Sequence, residues 1–231
     1  MGFQFTVASY NIHGCVGKDR SRNADRISQV IREFDADIVG LQEVDSHGLE
    51  DVHRQMDYLP AATGYKAIAG PVMQRTFGDY GNLLLTNHPI LDVRRIDLSV
   101  AGYEPRGALD VDLEIKDHAV RVVVTHFGLR ATERQQQAQK LLRALAPTPG
   151  QTLVVMGDFN EWFPLSRSLG WLNARLGHAP APRTYPAFLP LLPLDRVWVS
   201  PAHALVEIHA HVTGVTQVCS DHLPLKATIS L

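Results

Sequence analysis

Cysteine is nearly absent: Cys15 and Cys219 are the only two in 231 residues. One pair gives no disulfide framework and suits a reducing compartment, with both thiols reduced in loops near polar strand ends. Long hydrophobic runs are missing too. Nothing approaches the roughly 18–20 apolar residues of a membrane-crossing helix, so a soluble protein without integral membrane association is expected. Neither sign of charge dominates, with 22 Lys and Arg against 24 Asp and Glu and a net charge of −2. A protein that wraps long nucleic acid usually carries a basic face, so this balance argues against extended wrapping while leaving room for a local basic cleft. The opening residues Met1-Gly2-Phe3-Gln4-Phe5-Thr6-Val7 carry neither a basic nor an apolar leader segment, and a cytoplasmic protein is expected. No linker, short repeat or low-complexity tract interrupts the chain, and residues 1–231 read as one domain.

What is present is ordinary globular material, 45% hydrophobic and 20% charged. Apolar alternation at Phe3, Phe5 and Val7 predicts a strand ending at Asn11. Ser21 or Asn23 can cap a helix whose Ile27, Val30, Ile31 and Phe34 recur at helical spacing. Ile38 to Val44 reads as a buried strand, residues 49–57 as a short helix, Tyr65 to Ala69 as a strand, and Gly70 to Gly81 as a polar loop. Strands at Leu83–Leu85 and Val93–Leu98 flank a turn at His88-Pro89. Leu109 to Ile115 and Val120 to Thr125 form a hairpin about Lys116-Asp117-His118. Helices are expected over Ala131–Leu145, stopped by Pro147 to Gly150, and over 165–176. Leu153–Met156, Arg196–Val199, Val206–Val212 and Leu223–Ile229 are further strands, and the Pro-rich 179–193 is an irregular loop. Strands outnumber helices and hairpins mix with helical crossovers. That pattern predicts α/β architecture of sheets packed on each other with helices outside, not a simple doubly wound sheet.

Polar groups collect where these apolar strands end. Gly157-Asp158-Phe159-Asn160 follows Leu153-Val154-Val155-Met156, and alternate residues of an extended segment point one way, so Asp158 and Asn160 can meet one ligand with Phe159 turned aside. An Asx turn closing the strand reads the same residues equally well. Glu43 ends another apolar strand, where a buried carboxylate needs a partner or a metal and an exposed one is merely solvated. Asn11 ends the first strand, as asparagine commonly does in turns. In Ser220-Asp221-His222-Leu223-Pro224, adjacent side chains on a strand oppose each other, so His222 needs a carboxylate other than Asp221. Asp195, at the mouth of the Arg196–Val199 strand, is the candidate, unless it pairs with Arg196 at the surface. His126 closes the Val120–Thr125 strand, either as a structural histidine or as a donor to phosphate. Arg106, between strands, suits bidentate phosphate binding or simple solvation. Carboxylates with a carboxamide make a hard-ligand set of the kind Mg²⁺ or Mn²⁺ favours.

Taken together and in order, Asn11, Glu43, Asp158 with Asn160, Asp195, and Asp221 with His222 resemble the endonuclease/exonuclease/phosphatase superfamily, from Ser9 to Leu225. The Gly-Asp-Phe-Asn and Ser-Asp-His-Leu-Pro pieces are the most specific parts. The resemblance implies a four-layer α/β sandwich, two packed mixed β-sheets flanked by helices. It implies Glu43 as the principal Mg²⁺ (or Mn²⁺) ligand, helped by Asn11 and Asp221. Asp158 and Asn160 would position water and the scissile phosphate. His222, oriented by Asp195, would stabilise developing charge or move a proton, while His126 and Arg106 would bind phosphate. Tyr80 and Asn82 lie on a strand approaching the same place.

The implied reaction is metal-dependent hydrolysis of a phosphodiester by in-line attack of water; a monomer is the default expectation for assembly. A nuclease-type hydrolase is the first reading, a phospholipid or inositol-phosphate phosphodiesterase or phosphatase the second. The Pro-rich loop, with Tyr185, Phe188, Leu189 and Leu191, and the near-neutral charge lean toward the second. The chain lacks the long basic or aromatic insertion with which abasic-site endonucleases grip DNA. A phosphate-binding module without catalysis is the alternative of a different class.

Overall fold

Eleven strands divide between two sheets in the computed structural model, which describes residues 2–46, 54–75, 78–146 and 150–231. The strands are β1 (Gln4–Asn11), β2 (Ile38–Asp45), β3 (Lys66–Arg75), β4 (Gly78–Thr86), β5 (Ile90–Asp97), β6 (Gly107–Ile115), β7 (His118–His126), β8 (Thr152–Asp158), β9 (Asp195–Ser200), β10 (Leu205–Ala210) and β11 (Leu225–Ser230). The helices are α1 (Ala24–Phe34), α2 (Gln55–Thr63), α3 (Ala131–Ala144), α4 (Arg167–Leu176) and the single turn α5 (Thr216–Cys219). One sheet runs β10-β11-β1-β2-β4-β3 and the other β5-β6-β7-β8-β9. Both are mixed, because β1/β2 and β7/β8 pair in parallel while their neighbours are antiparallel.

Alternation decides the layering. Phe5, Val7, Ile38 and Leu84 face Leu109, Val111, Val122, Val124 and Met156 between the sheets. The opposite faces, with Val39, Leu41 and Leu85 on one sheet and Val123, Val155 and Trp198 on the other, are covered by α1 and α2 and by α3 and α4 respectively. The result is a sandwich of two packed mixed sheets flanked by helices. Close approach of the sheets requires Gly40, where an added Cβ would lie 2.7 Å from Met156 Cε.

Local signals place most elements. Asn23, not Ser21, caps α1 by accepting from Arg26 N at 3.1 Å, and Ser166 caps α4. Lys116 and Asp117 both adopt left-handed backbone and close the expected hairpin as a two-residue turn, with His118 already paired in β7. The His88-Pro89 turn carries the chain from one sheet to the other.

The expected loop at 70–81 is instead paired strand: β3 runs through Pro71 to Arg75 and meets β4 from Gly78. Glycine and proline hide this, but β3 is an edge strand whose register shifts between Pro71 and Met73, the setting in which a strand tolerates proline. Of the helix expected at 49–57, residues 55–57 are helical at the start of α2 (Gln55–Thr63) while 49–53 lie outside the described residues, as do 47–48, 76–77 and most of the expected helix stop at Pro147 to Gly150, residues 147–149. The thiols are not in loops either. Cys15 ends a 3₁₀ turn and Cys219 ends α5, and both are buried beneath the first sheet with Tyr10. Among the described residues no helix is long and apolar enough to cross a membrane.

Candidate active site

Strand register assembles half of the site without help from loops. Parallel pairing sets His126 of β7 opposite Asp158 of β8, and antiparallel pairing sets Asp158 opposite Asp195 of β9. The three side chains therefore share one row at one sheet edge. Gly157 allows this crowding: its φ is +150°, and a Cβ there would stand 1.8 Å from Thr125 O.

The other sheet supplies Asn11 and Glu43. Glu43 occupies an irregularity where the β2/β4 register shifts between Leu41 and Val44, and its own φ is +57°. This bulge re-aims a carboxylate that a regular strand would place elsewhere. Asn11 joins the sheets, its Nδ2 donating to Glu43 Oε1 and to Asp158 Oδ2, both at 2.9 Å. The amide orientation is fixed because Asn11 Oδ1 accepts from His13 N at 3.0 Å.

Asp158 and Asn160 do meet, but through a turn rather than through strand alternation. Asn160 has φ +50° and its backbone N–H donates to Asp158 Oδ1 at 2.8 Å. Phe159 turns away into the outer core, with ring centroids 4.8 Å from Phe127 and 4.7 Å from Trp198. Asn160 Nδ2 donates to Phe127 O and lies 3.0 Å from His126 Nε2. An amide N–H beside that ring nitrogen requires Nε2 to accept, which makes His126 neutral with its proton on Nδ1. Burial, followed by the charges of Arg106 and His222, pushes its pKa well down, in keeping with a neutral ring. The short distances from His126 to Glu43 and Asp158 are thus not ion pairs.

His222 is the opposite case. Its Nδ1 is 2.8 Å from Asp195 Oδ2 and its Nε2 3.6 Å from Asp158 Oδ2. Burial by itself would lower its pKa, but the Asp195 and Asp158 charges lift it to about 10. Asp158 is in turn raised to about 6, by burial and by Asp195, against the pull of His222, Asn11 and Asn160 N–H. At neutral pH the group is an imidazolium between two carboxylates.

Arg106 is buried and binds Glu104 through Nη1 at 2.8 Å. With Glu43, Tyr80, Asn82 and His126 it lines a small crevice. Arg106 Nε and Asn82 Oδ1 are buried there without partners among the described residues. Burial, with Glu43 nearby, keeps the Tyr80 phenol protonated against the pull of the Arg106 guanidinium. Asp221 stands half-exposed with Oδ1 3.8 Å from His13 Nδ1, outside the two convergent groupings Glu43–His126–Asp158 and Asp158–Asp195–His222.

Three neighbours escaped the sequence reading. His13 beside Asp221 is reached only through a 3₁₀ turn with left-handed backbone. Tyr185 has the sequence context of an apolar loop contact, but its ring centroid is 5.0 Å from that of His222. Glu161, the residue after Asn160, is buried and held by both Arg134 Nε and Nη2 at 3.1 and 3.0 Å, which fixes the loop leaving the site. Its position directly after the Gly-Asp-Phe-Asn run was the available signal.

The donor set suits a hard divalent cation. Asp158 is common to two clusters, one with Glu43 and the neutral His126 and one with Asp195 and the His222 imidazolium; Glu43 is the partly exposed carboxylate, and the amide of Asn11 touches Glu43 and Asp158.

The chain matches the Endonuclease/Exonuclease/phosphatase family over residues 8–222. It is 34% identical to an uncharacterized Escherichia coli K12 protein, YbhP, over 99% of this chain and 97% of that one. An endonuclease/exonuclease/phosphatase from Bacteroides vulgatus has the same fold, with a TM-score of 0.80 at 23% identity over 99% of both chains. The human Nocturnin catalytic domain with bound sulfate gives 0.74 at 20% identity, over 100% of this chain and 97% of that one. Asn11 to His222 all fall within the matched span, and the chain belongs to the Endonuclease/Exonuclease/phosphatase family.

Proposed function

We propose that residues 1–231 act as one domain that hydrolyses phosphodiester bonds with a divalent metal. The observation that carries this reading is the position of Asp158, whose Oδ2 is shared between Asn11, beside Glu43, and the His222–Asp195 pair. Metal-side and proton-side chemistry thereby meet at one oxygen.

Glu43, positioned by Asn11 Nδ2, would hold Mg²⁺ or Mn²⁺ together with Asp221, and the bound ion would supply Lewis-acid stabilisation of phosphoryl charge. The remaining work falls to the chain. Asp158 orients the attacking water through Oδ2. His222 offers Nε2–H where charge grows on phosphorus-bound oxygen, and Asp195 keeps its proton in place through Nδ1. Asn160 holds His126 neutral, so this part of the site brings no second imidazolium beside His222. Arg106 adds a buried guanidinium with an unused donor. Most of the catalysis is then orientation and electrostatics. Nuclease-type action on nucleic acid and cleavage of a phospholipid or inositol phosphate both belong to this reaction class. Every residue invoked comes from a single chain, so a monomer suffices.

Hydrolysis of bis-p-nitrophenyl phosphate at limiting Mg²⁺ or Mn²⁺ tests the reading. Glu43→Ala should lose on the order of 10²-fold or more of the turnover, since the metal contributes several kcal/mol. Unchanged turnover in that variant would refute the role of Glu43. Tight phosphate binding with no turnover by the wild type would favour a non-catalytic module.

A further inference from the structure

Thirteen large apolar side chains are exposed among the described residues, and seven of them stand on three loops beside the candidate site. Leu129 follows β7, just past His126. Trp162, Phe163 and Leu165 follow Asp158 and Asn160, with Leu165 98% exposed and Phe163 71%. Phe188, Leu189 and Leu191 belong to the Pro-rich segment. Scattered exposed leucines need no explanation, but a cluster at the mouth of a site does.

The loops are held together. Arg134 donates to Leu129 O at 2.6 Å and grips the Glu161 carboxylate, joining the first loop to the second. Tyr185 joins the second to the third and to the site, its ring 6.3 Å from Trp162 and 5.0 Å from His222. Ala187 N donates to Asp221 O at 2.7 Å. The apolar tips are thus exposed on a fixed frame.

Their charge is one-sided although the chain as a whole is slightly acidic. Arg130 and Arg183 are exposed on these loops and Arg167 at the first residue of α4, while Lys18, which precedes the exposed Asp19, sets its Nζ 4.7 Å above the Phe188 ring. The only acid on them, Glu161, is buried and neutralised by Arg134. Protruding leucine and aromatic side chains ringed by arginine match the requirements of a surface that enters the headgroup boundary of an anionic bilayer. A single-strand nucleic-acid platform relies on aromatic faces, whereas here four of the seven residues are leucines, which cannot stack on bases.

We propose that this rim docks on an anionic phospholipid bilayer and turns the site toward a lipid phosphodiester. The lipid as substrate rests on the phosphoesterase reading above; the docking rests on the rim alone.

Sedimentation of the full chain with vesicles tests the docking. Phosphatidylglycerol–phosphatidylethanolamine vesicles should bind it, pure phosphatidylcholine vesicles much less, and added salt should weaken the binding. Leu165→Asp combined with Leu189→Asp should lower partitioning about tenfold or more. Arg167→Glu should lower it on anionic vesicles specifically, with circular dichroism confirming that each variant is folded. The milder Leu165→Ser supplies the same comparison should the double variant not fold. No binding to anionic vesicles, or binding indifferent to these substitutions, overturns the proposal. So does finding that they instead abolish binding of a single-stranded oligonucleotide, or dissociate a dimer in sizing chromatography. Turnover of bis-p-nitrophenyl phosphate is read separately: its absence with vesicle binding intact sinks the phosphoesterase reading and leaves the docking surface standing.

Discussion

His222 Nδ1 lies 2.8 Å from Asp195 Oδ2, and both groups are almost fully buried. A charged imidazole in such a place persists only because carboxylates surround it. Asp195 lies on β9 and is carried there by register, whereas His222 precedes β11 of the other sheet. Their bond therefore ties the two sheets together at the site.

Replacing Asp195 with Asn should remove the main charge that raises His222. The imidazole titration, followed by NMR, is expected to move down from about 10, with phosphodiester turnover falling on the order of 10²-fold or more. A raised imidazole pKa contributes stability that is complete below the unfolded value near 6.5 and lost as pH rises toward about 10. The variant should flatten that dependence in chelator-treated protein. An unmoved titration would show that Asp195 does not govern His222.

His126 should behave in the opposite sense. Its Nε2 accepts from Asn160, so heteronuclear NMR of the imidazole is expected to show the Nδ1–H neutral tautomer between pH 6 and 8, ordinary conditions for a histidine to titrate. In Asn160→Ala the tautomer preference should weaken. A doubly protonated ring at neutral pH would contradict the arrangement.

Arg134 and Glu161 form a buried pair that anchors the loop after Asn160. Arg134→Ala leaves the carboxylate buried and unpartnered, at a cost of about 3–5 kcal/mol measurable by urea unfolding. Burial would raise the Glu161 pKa, but bonds from Arg134 and Ser168 hold it below the usual glutamate range. Its contribution to stability is therefore complete above the unfolded value and is lost as pH falls through the lower folded one. Between neutral pH and about pH 3 the wild type should lose more stability than Glu161→Gln.

Gly157→Ala tests the crowding of β7 against β8. The backbone conformation at that position and the contact with Thr125 O leave no space for a methyl group. A loss of about 3 kcal/mol or more is expected, seen as a lowered urea midpoint. Wild-type stability in the variant would mean that the two strands separate there easily.

Much of this was legible along the chain because it depends on local chemistry. Alternating Phe3, Phe5 and Val7, the Asn23 cap and the Lys116-Asp117 turn each follow from the preferences of a few adjacent residues. The candidate polar residues were visible for the same reason: a carboxylate or imidazole at the end of an apolar run is costly unless it has a partner. The pairing of His222 with Asp195 is the one expected, although Asp221 and His222 lie in a bend ahead of β11 and strand alternation is not what separates them.

What the sequence could not carry was anything decided by the meeting of distant segments. Pro71 looked like a loop because edge position is a property of the sheet, not of the residue. At Asp158 and Asn160 the residues fit an extended segment and an Asx turn equally well, and the structure takes the turn, with left-handed backbone at Asn160. The protonation of His126 and His222 diverges although both are buried strand-end histidines, since one meets an amide and the other two carboxylates. Local pattern thus set which residues end the strands and which of them are polar. The packing of two sheets, through long-range register and the low dielectric it creates, decided which of those groups touch and what charge each holds.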